Sequence, residues 1–529
     1  MNSMLSNLKN NWKSGLTVSL VSIPLSISLA VASGVGPMAG IITAIWAGLI
    51  ASFFAGSHYN IVGPTGALSG LIAAFVLSHG VDQVSSLALV SGVLILGAYF
   101  LKLERYLIFV PSSVIHGFTL GVAFIIAGNQ VNFALGLKDL PAHDRFFENL
   151  VESFAHLSQT SILSFLVFLA FLLTLFLLRR FLPRIPGAIL LSPLGILLGY
   201  LGQTEKIPFA LDTLGTHFGT LSFSLFQIPQ IHFSAPLLTA SVTIALIAIL
   251  ETMLSAKIAD GMTRTKHKER KEMLALGLAN LASGAMGGIP ATAALARTSL
   301  NIKTGADHKI SATISSIAVG LISFFLFAYF SYIPMAVIAS ILVYTAINMV
   351  EMEHFGRFFK HERSSFFVSL LVAGVTVYED PIVGILLGTA LVLILFVERL
   401  SRGAFELAEV SDGKLKEIKE DSEISLYSFK GKLCYLNGRA HIARFETGLS
   451  SKKSIILRLR EVYFMDLDGV EALDEIIELL ESRGQKVLLT SLHPTVEHLL
   501  EEVSKTYSRL KKEGLVFDKT VFALKHLGV

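Results

Sequence analysis

Through the first four hundred residues, apolar runs alternate with short polar breaks. They fall at about 14 to 31, 37 to 56, 62 to 79, 85 to 101, 106 to 128, 160 to 178, 185 to 202, 235 to 255, 273 to 287, 291 to 302, 310 to 331, 333 to 350, 364 to 379 and 381 to 397. Each run is read as a helix that crosses a bilayer, which takes about 20 apolar residues if straight. The runs at 62 to 79 and 291 to 302 fall short of that length. The polar start, Met1 to Lys13, leads into an apolar run followed by further spans, so the first span is read as retained. Beyond residue 424 the pattern changes. Ser454 to Leu459 and Lys486 to Thr490 are strand-like, whereas Gly469 to Arg483 has apolar residues at helical spacing (Val470, Leu473, Ile476, Ile477 and Leu480). Strands alternating with helices predict a small α/β domain.

Composition and charge support this division. Of the 529 residues 53% are apolar and 16% charged, and the mean hydropathy is +0.65; soluble domains are nearer 25% charged. Residues 403 to 529 hold 40 of the 83 Asp, Glu, Lys and Arg. The predicted organisation is therefore a membrane domain over 1–402, a linker over 403–423 and a cytoplasmic domain over 424–529. Net charge is +3 with no long basic stripe, which argues against nucleic acid as a partner. One cysteine, Cys434, excludes an internal disulfide framework and Cys-based metal sites. No cofactor is expected.

Lysines and arginines set the expected orientation, because cytoplasmic loops retain positive charge. With the N-terminus inside, Lys102 and Arg105, then Arg179, Arg180 and Arg184, then the group from Lys257 to Lys271, all fall inside; the loop with Asp139, Asp144, Glu148 and Glu152 falls outside. This pattern places the C-terminal domain in the cytoplasm, and the expected location is a bacterial-type inner membrane.

The two short spans share an opening. Gly63-Pro64-Thr65-Gly66-Ala67-Leu68 heads one, and Gly287-Gly288-Ile289-Pro290 through Ala294 heads the other. Matching Gly/Pro interruptions in two halves of a chain point to broken helices that meet at mid-membrane. A helix that begins inside the bilayer presents unpaired N–H groups and a partial positive charge, which suits an anion. Glu251 ends an uncharged run of sixteen residues, Ala235 to Leu250. A carboxylate there costs about 2.5 to 3.5 kcal/mol, so it needs a wet cavity or a partner. It could take up a proton or, with Ser255 one helical turn on, ligate a sodium ion; the plainer readings are an acid that reaches the cytoplasmic surface or a partner for Arg297. Arg297, with Thr298 beside it, either adds positive potential to an anion site, neutralises Glu251 or holds two helices together. No nucleophile–base pair or metal-ligand cluster is evident in the spans, and His116 reads as a packed residue rather than a ligand, so an enzyme is not expected.

The stretch from Leu274 to Pro290, followed by Ala296-Arg297-Thr298-Ser299-Leu300-Asn301, resembles the SulP family of anion permeases, relatives of prestin and pendrin. The resemblance extends from Gly15 to Pro24, through Val62-Gly63-Pro64 and Glu251, into the C-terminal domain. It implies an α-helical polytopic membrane protein of about 14 spans arranged as 7+7 inverted repeats, with core and gate domains, and a homodimer. It also implies a small inorganic anion held between the ends of spans three and ten. Carried over by position, the anion site comprises Leu25 to Leu29, Thr65, Gly66 and Ala67, and Ala294, Leu295, Ala296 and Arg297. Where the family often has Gln after the first-span proline and an aromatic four residues later, this chain has Leu25 and Leu29; Thr65 stands where an aromatic is common, and Ala296 where a serine often precedes the arginine. With few side-chain donors, backbone N–H groups and Arg297 carry recognition. Pro24-Leu25-Ser26 and the small-residue tenth span look closer to the bicarbonate-type branch, in which an acid in span eight assists sodium coupling. The implied function is secondary transport of bicarbonate or sulfate, coupled to sodium or protons; an anion channel or voltage-responsive motor is the alternative on the same scaffold.

Val462 to Leu473, containing Met465-Asp466-Leu467-Asp468-Gly469, resembles the STAS domain, whose strand-to-helix turn commonly reads Asp-x-Ser/Thr-Gly. Asp468 occupies the position of the phosphorylatable hydroxyl. A switch by phosphorylation there is not expected, and a fixed negative charge at a helix start is favourable in any case.

Overall fold

The computed structural model describes residues 2–138, 140, 143, 146–182, 187–207, 209–219, 221–227, 233–379, 381–411, 414–416, 423–447 and 452–528. Asp139, Asp144 and Arg184, used above for orientation, lie outside them. Two compact units divide between Thr389 and Ala390.

The apolar runs become helices α1 (Asn2–Ala32), α2 (Pro37–Phe54), α3 (Gly66–His79), α4 (Val84–Phe100), α5 (Ser112–Gly128), α6 (Ile162–Phe181), α7 (Gly187–Gln203), α8 (Ala235–Thr263), α9 (Glu269–Ala285), α10 (Leu295–Lys303), α11 (Ile310–Phe330), α12 (Met335–Met349), α13 (Arg363–Tyr378) and α14 (Pro381–Ser401). Among the described residues, nine helical stretches are long and apolar enough to cross a membrane. The other members of the set, α3, α7, α9, α10 and α13, are shorter or more polar. One boundary changes the chemistry. Helix α8 runs on to Thr263, so Glu251 stands within the helix and not at its end.

The two halves repeat each other in their packing. Helix α1 packs on α11, and α8 on α4; α4 packs on α9, and α11 on α2; α5 packs on α13, and α12 on α6; α8 packs on α3, and α1 on α10. Each contact recurs with the halves exchanged, as two inverted seven-helix repeats require. In lipid, close helix contact depends on small residues. A Cβ added at Gly92 of α4 would come within 2.7 Å of Leu281 N, and one at Gly121 of α5 within 2.7 Å of Thr376 Cβ. Glycine at these places lets α4 approach α9, and α5 approach α13, closely.

The second unit is a six-stranded sheet with order β4-β3-β5-β6-β7-β8. Its strands are β3 (Ala404–Ser411), β4 (Lys414–Lys416), β5 (Ile424–Leu433), β6 (Ser454–Met465), β7 (Lys486–Thr490) and β8 (Val516–Phe517). Strands β5 to β8 are parallel and β3 is antiparallel to β5. The stretch 403–423, read from sequence as a linker, therefore supplies two strands. Parallel neighbours need helical crossovers, two of which are α15 (Gly438–Glu446) and α16 (Leu467–Ser482). The stripe predicted on α16 is buried: Val470, Leu473, Ile476, Ile477 and Leu480 pack with Leu457, Leu459 and Leu489.

Candidate functional site

Just before α3 and α10 the chain is extended rather than helical. Val62–Gly63 (β1) and Thr292–Ala293 (β2) pair antiparallel, with Val62 opposite Ala293 and Gly63 opposite Thr292. Ala294 N adds a further bond to Ile61 O, 2.9 Å. Glycine and proline explain the form. Pro64 and Pro290 cannot donate in a helix, so the chain enters each helix only afterwards, at Gly66 and Leu295. Neither start has a side-chain cap: Thr65 and Ala294 hold the N-cap positions without bonding the first N–H groups. Two uncapped helix starts, joined by a two-residue ribbon, give the partial positive charge that an anion seeks.

Arg297 is 2% exposed and its Nη2 donates to the Pro64 carbonyl, so the guanidinium of α10 rests on the strand that leads into α3. Glycine at 63 makes room: an added Cβ would lie 2.9 Å from Arg297 Nη1 and 3.2 Å from Nη2. Glu251 is half-buried, and its Oε2 accepts the Thr65 hydroxyl at 3.0 Å. Among the described residues, no ion pair joins Arg297 to Glu251. Leu29, Thr65, Gly66 and Ala67 are buried, Leu25, Ala294 and Leu295 half-buried, and Ala296 exposed. Helix α1, which carries Leu25 and Leu29, packs on both α3 and α10.

Ser255 is fully buried and belongs to a second set of contacts. Its Oγ lies 3.1 Å from both Asn60 Oδ1 and Thr298 Oγ1, and the latter also accepts Ile61 N at 3.1 Å. Asn60 Nδ2 donates to Glu272 Oε1 at 2.7 Å, and Glu272 Oε2 accepts the N–H groups of Gly56 and Ser57 at 2.7 and 2.8 Å. Thr252 Oγ1 and Thr292 Oγ1 are 2.8 Å apart, Ala293 N donates to the former, and the Thr292 hydroxyl donates to Ala248 O. These bonds lash α8 to the ribbon. Sequence reasoning passed over Asn60, Thr252, Glu272 and Thr292; the available signal was the spacing of Glu251, Thr252 and Ser255, which puts three polar groups within one turn of an apolar helix.

The profile of the Sulfate permease family matches residues 8–372, and that of the STAS domain matches 416–506. The chain belongs to the Sulfate permease family. This is a family of transporters and not of enzymes. Similar proteins include the Bacillus subtilis protein named Putative sulfate transporter YvdB, 30% identical over 507 residues that cover 94% of each chain. The Bicarbonate transporter BicA of Picosynechococcus is 24% identical over 97% of this chain and 94% of its own. Among solved structures, murine Solute Carrier 26 family member A9, an anion transporter in its inward-facing state, superposes with a TM-score of 0.82 at 16% identity, covering 98% of this chain and 91% of that one. The transmembrane domain of a cyanobacterial BicA superposes at 0.61 with 21% identity, over 73% of this chain and 97% of that one. The fold of this permease-family chain is thus that of a multi-pass membrane protein with a C-terminal STAS domain.

In the STAS domain, Asp466 and not Asp468 caps α16: its Oδ1 accepts Gly469 N at 2.8 Å, while Asp468 is exposed in the first turn. Asp468 is accessible, and no hydrogen bond or ion pair of its side chain is seen among the described residues.

Proposed function

We propose that this protein is a secondary active transporter of a small inorganic anion, sulfate or bicarbonate, which binds between the starts of α3 and α10 and crosses by alternating access. The observation that carries the reading is the pair of uncapped helix starts fastened together by β1 and β2, with the Arg297 guanidinium against them. Thr65 to Ala67 and Ala294 to Arg297 form the floor of this site, and Leu25 and Leu29 its apolar wall. Such a site neutralises the ion largely with backbone dipoles. The names of similar proteins, some sulfate and some bicarbonate transporters, support both substrates.

Glu251 is the coupling group in this reading, because it is the carboxylate bonded to Thr65 at the head of α3. A proton would sit on the same carboxylate, whose Oε2 accepts the Thr65 hydroxyl. Sodium shared by Glu251 and Ser255 would use a lone pair of the Ser255 oxygen, whose hydroxyl lies 3.1 Å from both Asn60 Oδ1 and Thr298 Oγ1. The chain would work as a homodimer in the inner membrane, with the N-terminus and the STAS domain in the cytoplasm. Uptake of labelled sulfate and bicarbonate into proteoliposomes, each with and without sodium and proton gradients, tests the proposal. Saturable accumulation driven by one gradient is expected. Non-saturable flux of both anions, indifferent to either gradient, would instead mark an anion channel.

A further inference from the structure

His116, read from sequence as a packed residue, has two neighbours that sequence distance concealed. It lies one turn into α5, while Glu351 and His354 open the short amphipathic helix Met352–His361 that follows α12, Glu351 as its N-cap. Both histidines approach the same carboxylate oxygen: His354 Nε2 lies 3.3 Å and His116 Nδ1 3.7 Å from Glu351 Oε2. One ligand atom from each residue falls within 4.8 Å of those of the other two. A tetrahedral zinc ion with bonds of about 2.0 to 2.1 Å needs its ligand atoms roughly 3.3 to 3.4 Å apart. Two of the three edges are close to that already. The third closes if the imidazoles, now stacked with centroids 4.3 Å apart, swing out of parallel.

We infer that His116, Glu351 and His354 form a site for a divalent transition metal of the zinc class. The donor set decides the class, since two imidazoles and one carboxylate suit zinc-type ions, whereas magnesium and calcium favour oxygen ligands. The spacing Glu351-x-x-His354 puts both groups on one turn, as in the carboxylate–histidine pairs of helical metal proteins. Exposure is graded: the side chains of His116, Glu351 and His354 are 11%, 33% and 39% exposed, so one ligand is anchored in the helix packing and an entry path stays open beside the other two. Phe355 and Phe358 stand edge-on to the His116 ring at 6.5 and 5.9 Å and shield its buried side. With three protein ligands, the fourth position is left to water. A bound ion would pin the Met352–His361 helix to the start of α5.

The test uses the full chain, purified without a polyhistidine tag in detergent at pH 7.5, titrated with Zn2+ and separately with Co2+. The expected result is one ion per chain, visible bands of tetrahedral Co2+, a Zn2+-dependent rise in melting temperature, and no such rise with Mg2+. His354→Gln, at a half-buried position, and His116→Gln should each weaken Zn2+ binding by at least about tenfold and abolish the Co2+ bands. His156→Gln, in a separate His–Glu contact with Glu152, should leave both unchanged. Undiminished Zn2+ affinity in His354→Gln, or wild-type binding no tighter than that of the His116→Gln/His354→Gln double variant, would overturn the inference.

Discussion

Gly63→Ala is the smallest change that reaches the candidate anion site. The glycine is in a strand with no left-handed backbone, so alanine fits its conformation, and the whole effect of the methyl group falls on its neighbours. The nearest is Arg297 Nη1 at 2.9 Å, with Nη2 at 3.2 Å and Cζ at 3.4 Å. Ordinary van der Waals contact begins near 3.4 Å, so the guanidinium must retreat by roughly half an ångström. That retreat draws Nη2 from the Pro64 carbonyl, its hydrogen-bond partner. A bond from a charged donor is worth about 1.5 to 3 kcal/mol; an anion that needs the guanidinium seated there must restore whatever part of the bond the methyl group breaks, so half of it lowers anion affinity by at most about fivefold and all of it by at most about ten- to hundredfold. The assay is equilibrium binding of labelled sulfate or bicarbonate to purified protein whose elution matches wild type and which melts well above the assay temperature. A double-mutant cycle isolates the cause: in an Arg297→Gln background, Gly63→Ala should add less than about twofold. If Gly63→Ala binds as wild type does, or if the two losses multiply, the methyl group does not act through the guanidinium, and wild-type affinity in Arg297→Gln would remove the guanidinium from the anion's seat.

Glu251→Gln should fold and bind the anion yet lose gradient-driven accumulation in proteoliposomes, and wild-type accumulation under both proton and sodium gradients would remove Glu251 from the mechanism. Thr65→Ala removes one hydroxyl that is spent on Glu251, so anion affinity should fall at most about tenfold, whereas Ala294→Phe, at the head of α10, should abolish binding; the reverse ranking in equilibrium binding would move the site elsewhere. In the STAS domain, burial and the Arg444 charge hold His441 down to about 4. Its folded value lies below the ordinary 6.5, so the stability from keeping it neutral is whole above about pH 6.5 and drains as the pH falls towards 4, in total roughly 3 kcal/mol. The protection factors of β5 and α15, which correct hydrogen exchange for its intrinsic pH dependence, should fall over that window, and a His441→Phe variant should lose this effect.

The broken helices were legible because glycine and proline at the head of an apolar run leave few other structures open to the chain. Arg297 and Glu251 stood out for a related reason, since charge in a membrane helix is costly enough to need an explanation. Asn60, Thr252 and Thr292 gave no such warning: they lie in three separate places, before β1, in α8 and in β2, and only the tertiary crossing shows that their hydrogen bonds converge. Glu272 was hidden by its basic neighbours Arg270 and Lys271, which made it look like part of a solvated loop. The strand Ala404–Ser411 was read as linker because its partners come from β5, about twenty residues on, and its own alternation of Phe405, Glu406 and Leu407 is short. His116, Glu351 and His354 are the extreme case, for more than two hundred residues separate the first from the others.

The ribbon of Val62–Gly63 and Thr292–Ala293 acts as a rivet between the two halves of the sequence. Where no water is at hand to replace them, its backbone bonds cannot be opened cheaply. Any rocking that turns this crossing from one face of the bilayer to the other must therefore carry both helix heads together, like a cargo and its carriage. In the proposed transport cycle the helix heads would then stay together while the anion leaves. Release would come from what slides past them, so substitutions that alter the rate of passage without altering the grip should map to surfaces that the riveted pair moves against.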